Sequence, residues 1–214
     1  MKRRADWFIE AMNITAPGKK GLEIGCGTGE MSNWIAEQIP LDILGTDLCE
    51  PFVRSANERF GRERLKFEVL DFTDPAQIMD RRFDVIYGNG ILHHLYPVLD
   101  ASLVQMKSLL RPNGKIIFME PNIYNPYCQL IFKSDYFRKK AKLEPDEMAF
   151  SPGFIRKRLQ AAGYTNIKVT YKDFLLPGIP AFLVKPSIAI GNVAERLPLI
   201  KKIAQSIFIE AQSI

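Results

Sequence analysis

Through the first 120 residues, short apolar runs alternate with helically patterned stretches. Residues 21–24 precede a helical pattern at 30–38, residues 41–46 one at 50–60, and residues 65–70 a short helix near 76–80. A fourth run, 83–87, leads into a helix near 98–110, where Leu99, Leu103, Met106 and Leu110 recur at helical spacing. Strand and helix in turn predict βα units and a parallel sheet. Pro112 closes the last of these helices, and Asn113-Gly114 turns the chain into a fifth strand at 115–120.

The alternation breaks after that strand. Residues 121–150 are rich in aromatic and basic side chains and read as an insertion or lid. Ser151 can cap a helix that has Pro152 in its first turn, runs to Ala162 and is ended by Gly163. A sixth strand is predicted at 165–171 and a last one at 206–211, with residues 173–198 irregular and apolar between them. Two late strands without a clean helical crossover predict an antiparallel edge.

Composition narrows the picture only in places. The 214 residues suffice for one domain, 1–214, with a sizeable core. Cys26, Cys49 and Cys128 show no paired spacing, so neither a disulfide framework nor a zinc knuckle is expected, no metal site is predicted, and a reducing, cytoplasmic compartment fits. Met1-Lys2-Arg3-Arg4 has the charge of a signal peptide, but Asp6, Glu10 and Asn13 interrupt the apolar stretch that should follow, which favours an amphipathic first helix. The longest apolar stretch, 174–190, contains Pro177, Pro180, Pro186 and Lys185 and would make a poor spanning helix. The formal charge of +5 mildly favours anionic partners or surfaces.

The most informative stretch is Leu22-Glu23-Ile24-Gly25-Cys26-Gly27-Thr28-Gly29, where the first strand turns into the first helix of the alternating pattern. Glycines there permit a tight turn and close approach of a ligand to the backbone. A dinucleotide fingerprint would carry Gly or Ala where this chain has Glu30. Glu23, at the strand end, would repel a pyrophosphate but suit a ligand with a positively charged tail. Asp47 closes the second strand, where a carboxylate can accept from both hydroxyls of a ribose. Asp71, at the end of the third, can accept from an adenine amino group, with Phe72 beside it to pack on the ring. Three carboxylates thus fall along the edge where open α/β sheets bind ligands.

Together with Gly45-Thr46-Asp47, Phe83-Asp84-Val85-Ile86, Ile91-Leu92-His93-His94-Leu95 and Leu110-Arg111-Pro112-Asn113-Gly114-Lys115, the glycine loop resembles the successive motifs of class I S-adenosylmethionine (SAM) dependent methyltransferases, especially the group that includes the ubiquinone and menaquinone biosynthesis enzymes. The likeness covers roughly residues 20–120. It implies a doubly wound, Rossmann-like α/β fold whose seven-stranded sheet is mostly parallel, with an antiparallel last strand and helices on both faces. It implies SAM as cofactor and S-adenosylhomocysteine as product. Glu23, Gly25, Gly27 and Gly29 would hold the methionine part, Asp47 the ribose, and Asp71 with Phe72 the adenine. Gly88 and Asn89 match positions that approach the methionine end, and Cys26 and Leu48 complete the expected contact set.

His93 and His94, the two histidines of the chain, follow the fourth strand, beside the expected methyl group. An imidazole suits a base near neutral pH. Glu120 at the neighbouring strand end is a second candidate base or a group that orients a partner, and Tyr87 and Asn122 lie at similar positions. Tyr124, Tyr127, Leu130, Ile131 and Phe132 with Phe174, Leu175, Leu176, Ile179 and Phe182 could enclose an apolar chamber rimmed by Lys133, Arg138, Lys139 and Lys140. That combination suggests a small-molecule or amphipathic acceptor and peripheral contact with an anionic membrane; a dimer contact would use the same apolar residues. The basic cluster 133–142 reads more simply as a solvated helix face than as a nucleic acid site. Competing readings are a SAM-binding protein without catalytic activity and, disfavoured by Glu23 and Glu30, an NAD(P)-dependent oxidoreductase.

Overall fold

In Ile116-Ile117-Phe118-Met119, side chains alternate between two cores, because successive residues of a strand point to opposite faces of its sheet. The computed structural model describes residues 1–214 apart from 79, 142 and 176–178 and the side chain of Pro75. Its strands are β1 (Lys19–Ile24), β2 (Leu41–Asp47), β3 (Leu65–Val69), β4 (Phe83–Asn89), β5 (Leu110–Pro121), β6 (Thr165–Lys172) and β7 (Ser206–Gln212). They form one seven-stranded sheet in the order β3-β2-β1-β4-β5-β7-β6. β1 to β5 pair in parallel, and β7 runs antiparallel between β5 and β6. The doubly wound architecture and the antiparallel last strand are as expected.

The helices are α1 (Lys2–Met12), α2 (Glu30–Gln38), α3 (Glu50–Phe60), α4 (Pro75–Ile78), α5 (Leu99–Leu109), α6 (Pro126–Lys133), α7 (Asp135–Lys140), α8 (Pro152–Ala161) and α9 (Ala181–Ala194). On one face, Ala5 and Phe8 of α1, Met31 and Ile35 of α2, and Val53 and Ala56 of α3 pack against Val85, Tyr87, Ile117 and Met119. On the other, Leu99, Leu103 and Met106 of α5 and Ile155 and Leu159 of α8 pack against Ile86, Ile116, Phe118 and Ile207. The Ser151 side chain accepts from the Phe154 amide to start α8, and Gly163 follows its end at φ +79°, as the sequence predicts.

Two stretches differ from the pattern. β5 begins at Leu110, which pairs with Phe83, whereas the next pair is Val85 with Lys115. Residues 111–114 therefore bulge out of the ladder, with Asn113 left-handed at φ +62°, so the Asn-Gly turn lies inside the strand's span instead of before it. Residues 173–198, expected to be irregular, contain α9. Pro186 lies within that helix and is exposed, as is Phe182 one turn earlier. Its missing N–H deprives the Phe182 carbonyl of a helical donor at a place open to solvent, which lets the helix continue. Beyond β5 the chain makes α6 and α7 and returns as a strap, residues 143–150. The Phe150 amide donates to the Pro121 carbonyl and the Ile123 amide to that of Phe150, which holds the strap beside the end of β5.

Candidate active site

The turn from β1 into α2 is a run of left-handed glycines, with φ +70° at Gly25, +53° at Gly27 and +82° at Gly29. A Cβ on Gly29 would lie 2.8 Å from the Phe67 ring and 3.0 Å from the Ala56 Cβ, so packing as well as φ demands glycine there. A Cβ on Gly27 would meet nothing within 4 Å, which leaves its outer side open for a ligand. Asp47 ties this turn to the end of β2: Oδ2 accepts from the Gly27 amide and Oδ1 from the Cys49 amide, both at 2.9 Å. Asp71 Oδ1 accepts from the amide and hydroxyl of Thr73 at 2.8 and 2.6 Å.

Gly25, Asp47, Leu48, Asp71 and Phe72 line one cavity of about 340 Å³, together with Ile91, His94 and Leu95. A cavity with two carboxylates and an aromatic side chain fits a ligand that carries a ribose and an adenine ring. A larger cleft of about 490 Å³ lies at the opposite edge of the sheet, among Lys20, Asp42, Arg64, Glu68, Arg81 and Arg111. Its charges are mixed, and Arg81 and Arg111 are engaged with Glu68 and Asp84.

The other expected cofactor residues lie outside the lining of the 340 Å³ cavity. Glu23 is buried and accepts a hydrogen bond from the Ser32 hydroxyl of α2, with the Tyr87 phenol 3.5 Å from that hydroxyl. Burial pushes its carboxyl up to about 8, against the hydrogen bonds that favour ionisation. Cys26 is buried, and desolvation with the charges of Glu23 and Asp47 pushes its thiol up. A Cβ on Gly88 would lie 2.6 Å from Ile91 Cγ2 and 2.8 Å from the Ile24 carbonyl, so close packing accounts for that glycine. The Asn89 side chain accepts from Arg4 at 3.3 Å, and Arg4 also donates to Asp173 at 2.9 Å.

A second cluster joins three segments. Glu120, at the end of β5, is buried; its Oε1 accepts from the amides of Ile91 and Leu92 at 3.0 and 2.8 Å. Its Oε2 lies 2.8 Å from His93 Nδ1. Burial disfavours a charged His93, but the hydrogen bond and charge of Glu120 and the charge of Glu147 outweigh it and raise the imidazole above its ordinary value. His93 and His94 are in ring contact, with centroids 4.1 Å apart. Glu147, from the strap, is buried with Oε1 2.9 Å from His94 Nδ1 and Oε2 4.0 Å from His93 Nε2. All three expected catalytic residues therefore meet. Tyr87 is buried beneath the sheet's other face, and Asn122 donates to the Lys202 and Ala204 carbonyls.

Sequence reasoning missed Glu147, which sits among other acids in a segment without periodicity. Arg138, expected on a basic rim, spends its guanidinium on the carbonyls of Phe132, Glu144, Pro145 and Glu147 and so shapes the strap that carries that carboxylate. Phe132 is buried with Cys128 and Ala149, whereas Tyr124, Tyr127, Leu130 and Phe182 are exposed. Leu176 of the expected chamber and Lys142 of the basic cluster lie outside the described residues.

Residues 22–116 match the family model described as a methyltransferase domain. Among curated relatives, phosphoethanolamine N-methyltransferase 1 of Arabidopsis thaliana is 29% identical over 164 residues, covering 75% of this chain and 31% of that protein. Among solved structures, phosphoethanolamine N-methyltransferase 2 of Haemonchus contortus in complex with SAM superposes with a TM-score of 0.69 at 15% identity, covering 99% of this chain and 52% of the other. The CurJ carbon methyltransferase gives 0.67 at 23%, covering 99% and 53%. The chain spans less than a third of the length of the first curated relatives it matches. The likeness to class I SAM-dependent methyltransferases is thus shown in sequence over the segment that carries the motifs, and in fold over nearly the whole chain.

Proposed function

We propose that this chain transfers a methyl group from SAM to a small, amphipathic acceptor, with His93 as the base that takes the acceptor's proton. The observation that carries this reading is the buried His93–Glu120 pair, in ring contact with a histidine that lines the cavity of Gly25, Asp47 and Asp71. SAM, when bound, supplies a methyl group on a sulfonium leaving group and departs as S-adenosylhomocysteine. The chain contributes binding, orientation and the handling of one proton. Asp47 offers acceptors to the ribose hydroxyls, Asp71 to the adenine amino group, and Phe72 and Leu48 cover the ring. Glu120 keeps the proton on His93 Nδ1, which leaves the Nε2 lone pair for a hydroxyl, amine or acidic C–H of the acceptor. Since Nε2 faces Glu147, the acceptor enters between the imidazole and the strap, and residues 121–150 serve as its cover.

The exposed apolar side chains favour an acceptor met at an anionic bilayer surface. Phe182, Ile190 and Val193 of α9 and Leu199 beyond it are 60–78% exposed, with Lys185, Arg196, Lys201 and Lys202 among them. Among the described residues no helix is long and apolar enough to cross a membrane. Contact from a cytoplasmic side fits free cysteines and this basic, apolar face.

The test is to incubate the protein and methyl-labelled SAM with an extract of its source cells and count organic-soluble, small aqueous and macromolecular fractions. Enzyme-dependent label in the organic or small aqueous fraction is expected. Label confined to macromolecules contradicts the acceptor class, and SAM binding without label in any fraction leaves a missing acceptor or a non-catalytic binder. In sedimentation with anionic liposomes at physiological salt the protein should pellet; free protein that sediments as a dimer would assign the apolar face to a second copy.

A further inference from the structure

We infer that His93, His94 and Glu147 form a site for one divalent transition metal ion of the zinc type. The three residues offer one ligand atom each, all within 4.8 Å of one another. Two of the separations are 2.9 Å, from His94 Nδ1 to Glu147 Oε1, and 4.0 Å, from His93 Nε2 to Glu147 Oε2. One ion can therefore bridge the three with small movements of side chains already in contact.

The independent sign of a ligand is Glu147 itself. Its Oε2 is buried and has no hydrogen-bond partner among the described residues, although it lies 4.0 Å from His93 Nε2. A buried carboxylate oxygen left in that state is costly, and a cation bound to it removes the cost. The donor set then says which cation. Calcium and magnesium take oxygen ligands, whereas two imidazole nitrogens with one carboxylate suit zinc and its first-row neighbours. Three protein ligands leave a fourth position, and the His94 side chain, 47% exposed, gives an ion a way in from solvent. His93 also turns its other ring nitrogen to a carboxylate, Glu120 Oε2 at 2.8 Å, the arrangement that fixes the tautomer and orientation of a ligating imidazole.

The bound ion occupies the Nε2 lone pair that the proposed base needs, so it holds the protein in a form that does not transfer methyl groups. This consequence rests on His93 acting as the base; the site itself does not.

The experiment titrates Co²⁺ alone into the full chain and follows visible absorption, with Zn²⁺ as competitor. Saturation at one ion per chain is expected, with ligand-field bands of nitrogen and oxygen donors that Zn²⁺ abolishes. Glu147→Gln, which keeps the side-chain shape, and His94→Ala, at a half-exposed position, should each weaken the ion by at least about tenfold while melting near the wild type. No saturable binding, equal binding by both variants, or an intense thiolate band that places the ion on cysteine would overturn the site. Tight binding without inhibition of transfer would leave the site standing and remove His93 as the base.

Discussion

The proposed cofactor edge and the histidine cluster share one cavity through His94, yet they are built differently. Gly25, Gly27 and Gly29 lie within one turn, and Asp47 ties that turn to the neighbouring strand through backbone amides. The cluster instead takes His93 and His94 from the turn after β4, Glu120 from the end of β5 and Glu147 from a strap that Arg138 shapes. The first region fixes backbone atoms by local conformation; the second fixes side chains by long-range packing. Binding of the cofactor and handling of the acceptor's proton should therefore be separable by mutation.

The strongest expected effect is on the local side. Gly29→Ala forces a side chain into a left-handed position and against Phe67 and Ala56. A loss of about 2–4 kcal/mol in stability is predicted from the conformational penalty and overpacking together, read as the denaturant midpoint. A change below about 0.5 kcal/mol would mean that the turn is not rigidly specified.

Asp47→Ala comes next and keeps the comparison within the cofactor edge. Loss of charge-assisted hydrogen bonds should weaken SAM by about 1.5–3 kcal/mol. Calorimetry checks this, and unchanged affinity would remove Asp47 from the site.

A smaller effect sharpens the cluster side. His93 is raised above its ordinary value, and its neutral form is the proposed base, so transfer should rise with pH through a limb lying above about 6.5. Glu120→Gln withdraws the charge that raises it, and the limb should move to lower pH. A limb at the same pH in both proteins would show that another group is titrating.

Glu23, buried beneath the glycine turn, gives a separate handle through the pH dependence of stability. Its folded carboxyl holds its proton to about pH 8, while the unfolded chain releases it near the ordinary carboxylate value. The native state thus binds the extra proton between those limits, and stability should fall as pH rises from about 4.5 to about 8. Glu23→Gln should flatten that part of the stability profile, measured by denaturant melts at several pH values.

The same contrast explains what the sequence made legible. The glycine turn, Asp47 and Asp71 follow strand ends directly, so spacing alone puts them on one edge. His93, His94 and Glu120 could be placed near that edge, because the strands that carry them alternate cleanly. Glu147 could not, since only the return of the strap beside Pro121 brings it to the histidines. Glu23 sits where expected along the chain, but its side chain points to Ser32 beneath the turn, a choice that depends on how α2 packs. α9 was hidden because Pro180 and Pro186 read as breaks and its apolar residues follow no helical period, as in a helix that is apolar all round.

The decisive measurement is SAM affinity and methyl transfer taken in parallel on the wild type and His93→Ala, using the fraction of extract that accepts label. Transfer should fall about 10²–10⁴-fold with removal of the base, while SAM affinity stays within about twofold, since the cofactor edge does not need the imidazole. Transfer that survives, or affinity that falls in step with it, would contradict a site in which one region binds and the other removes the proton.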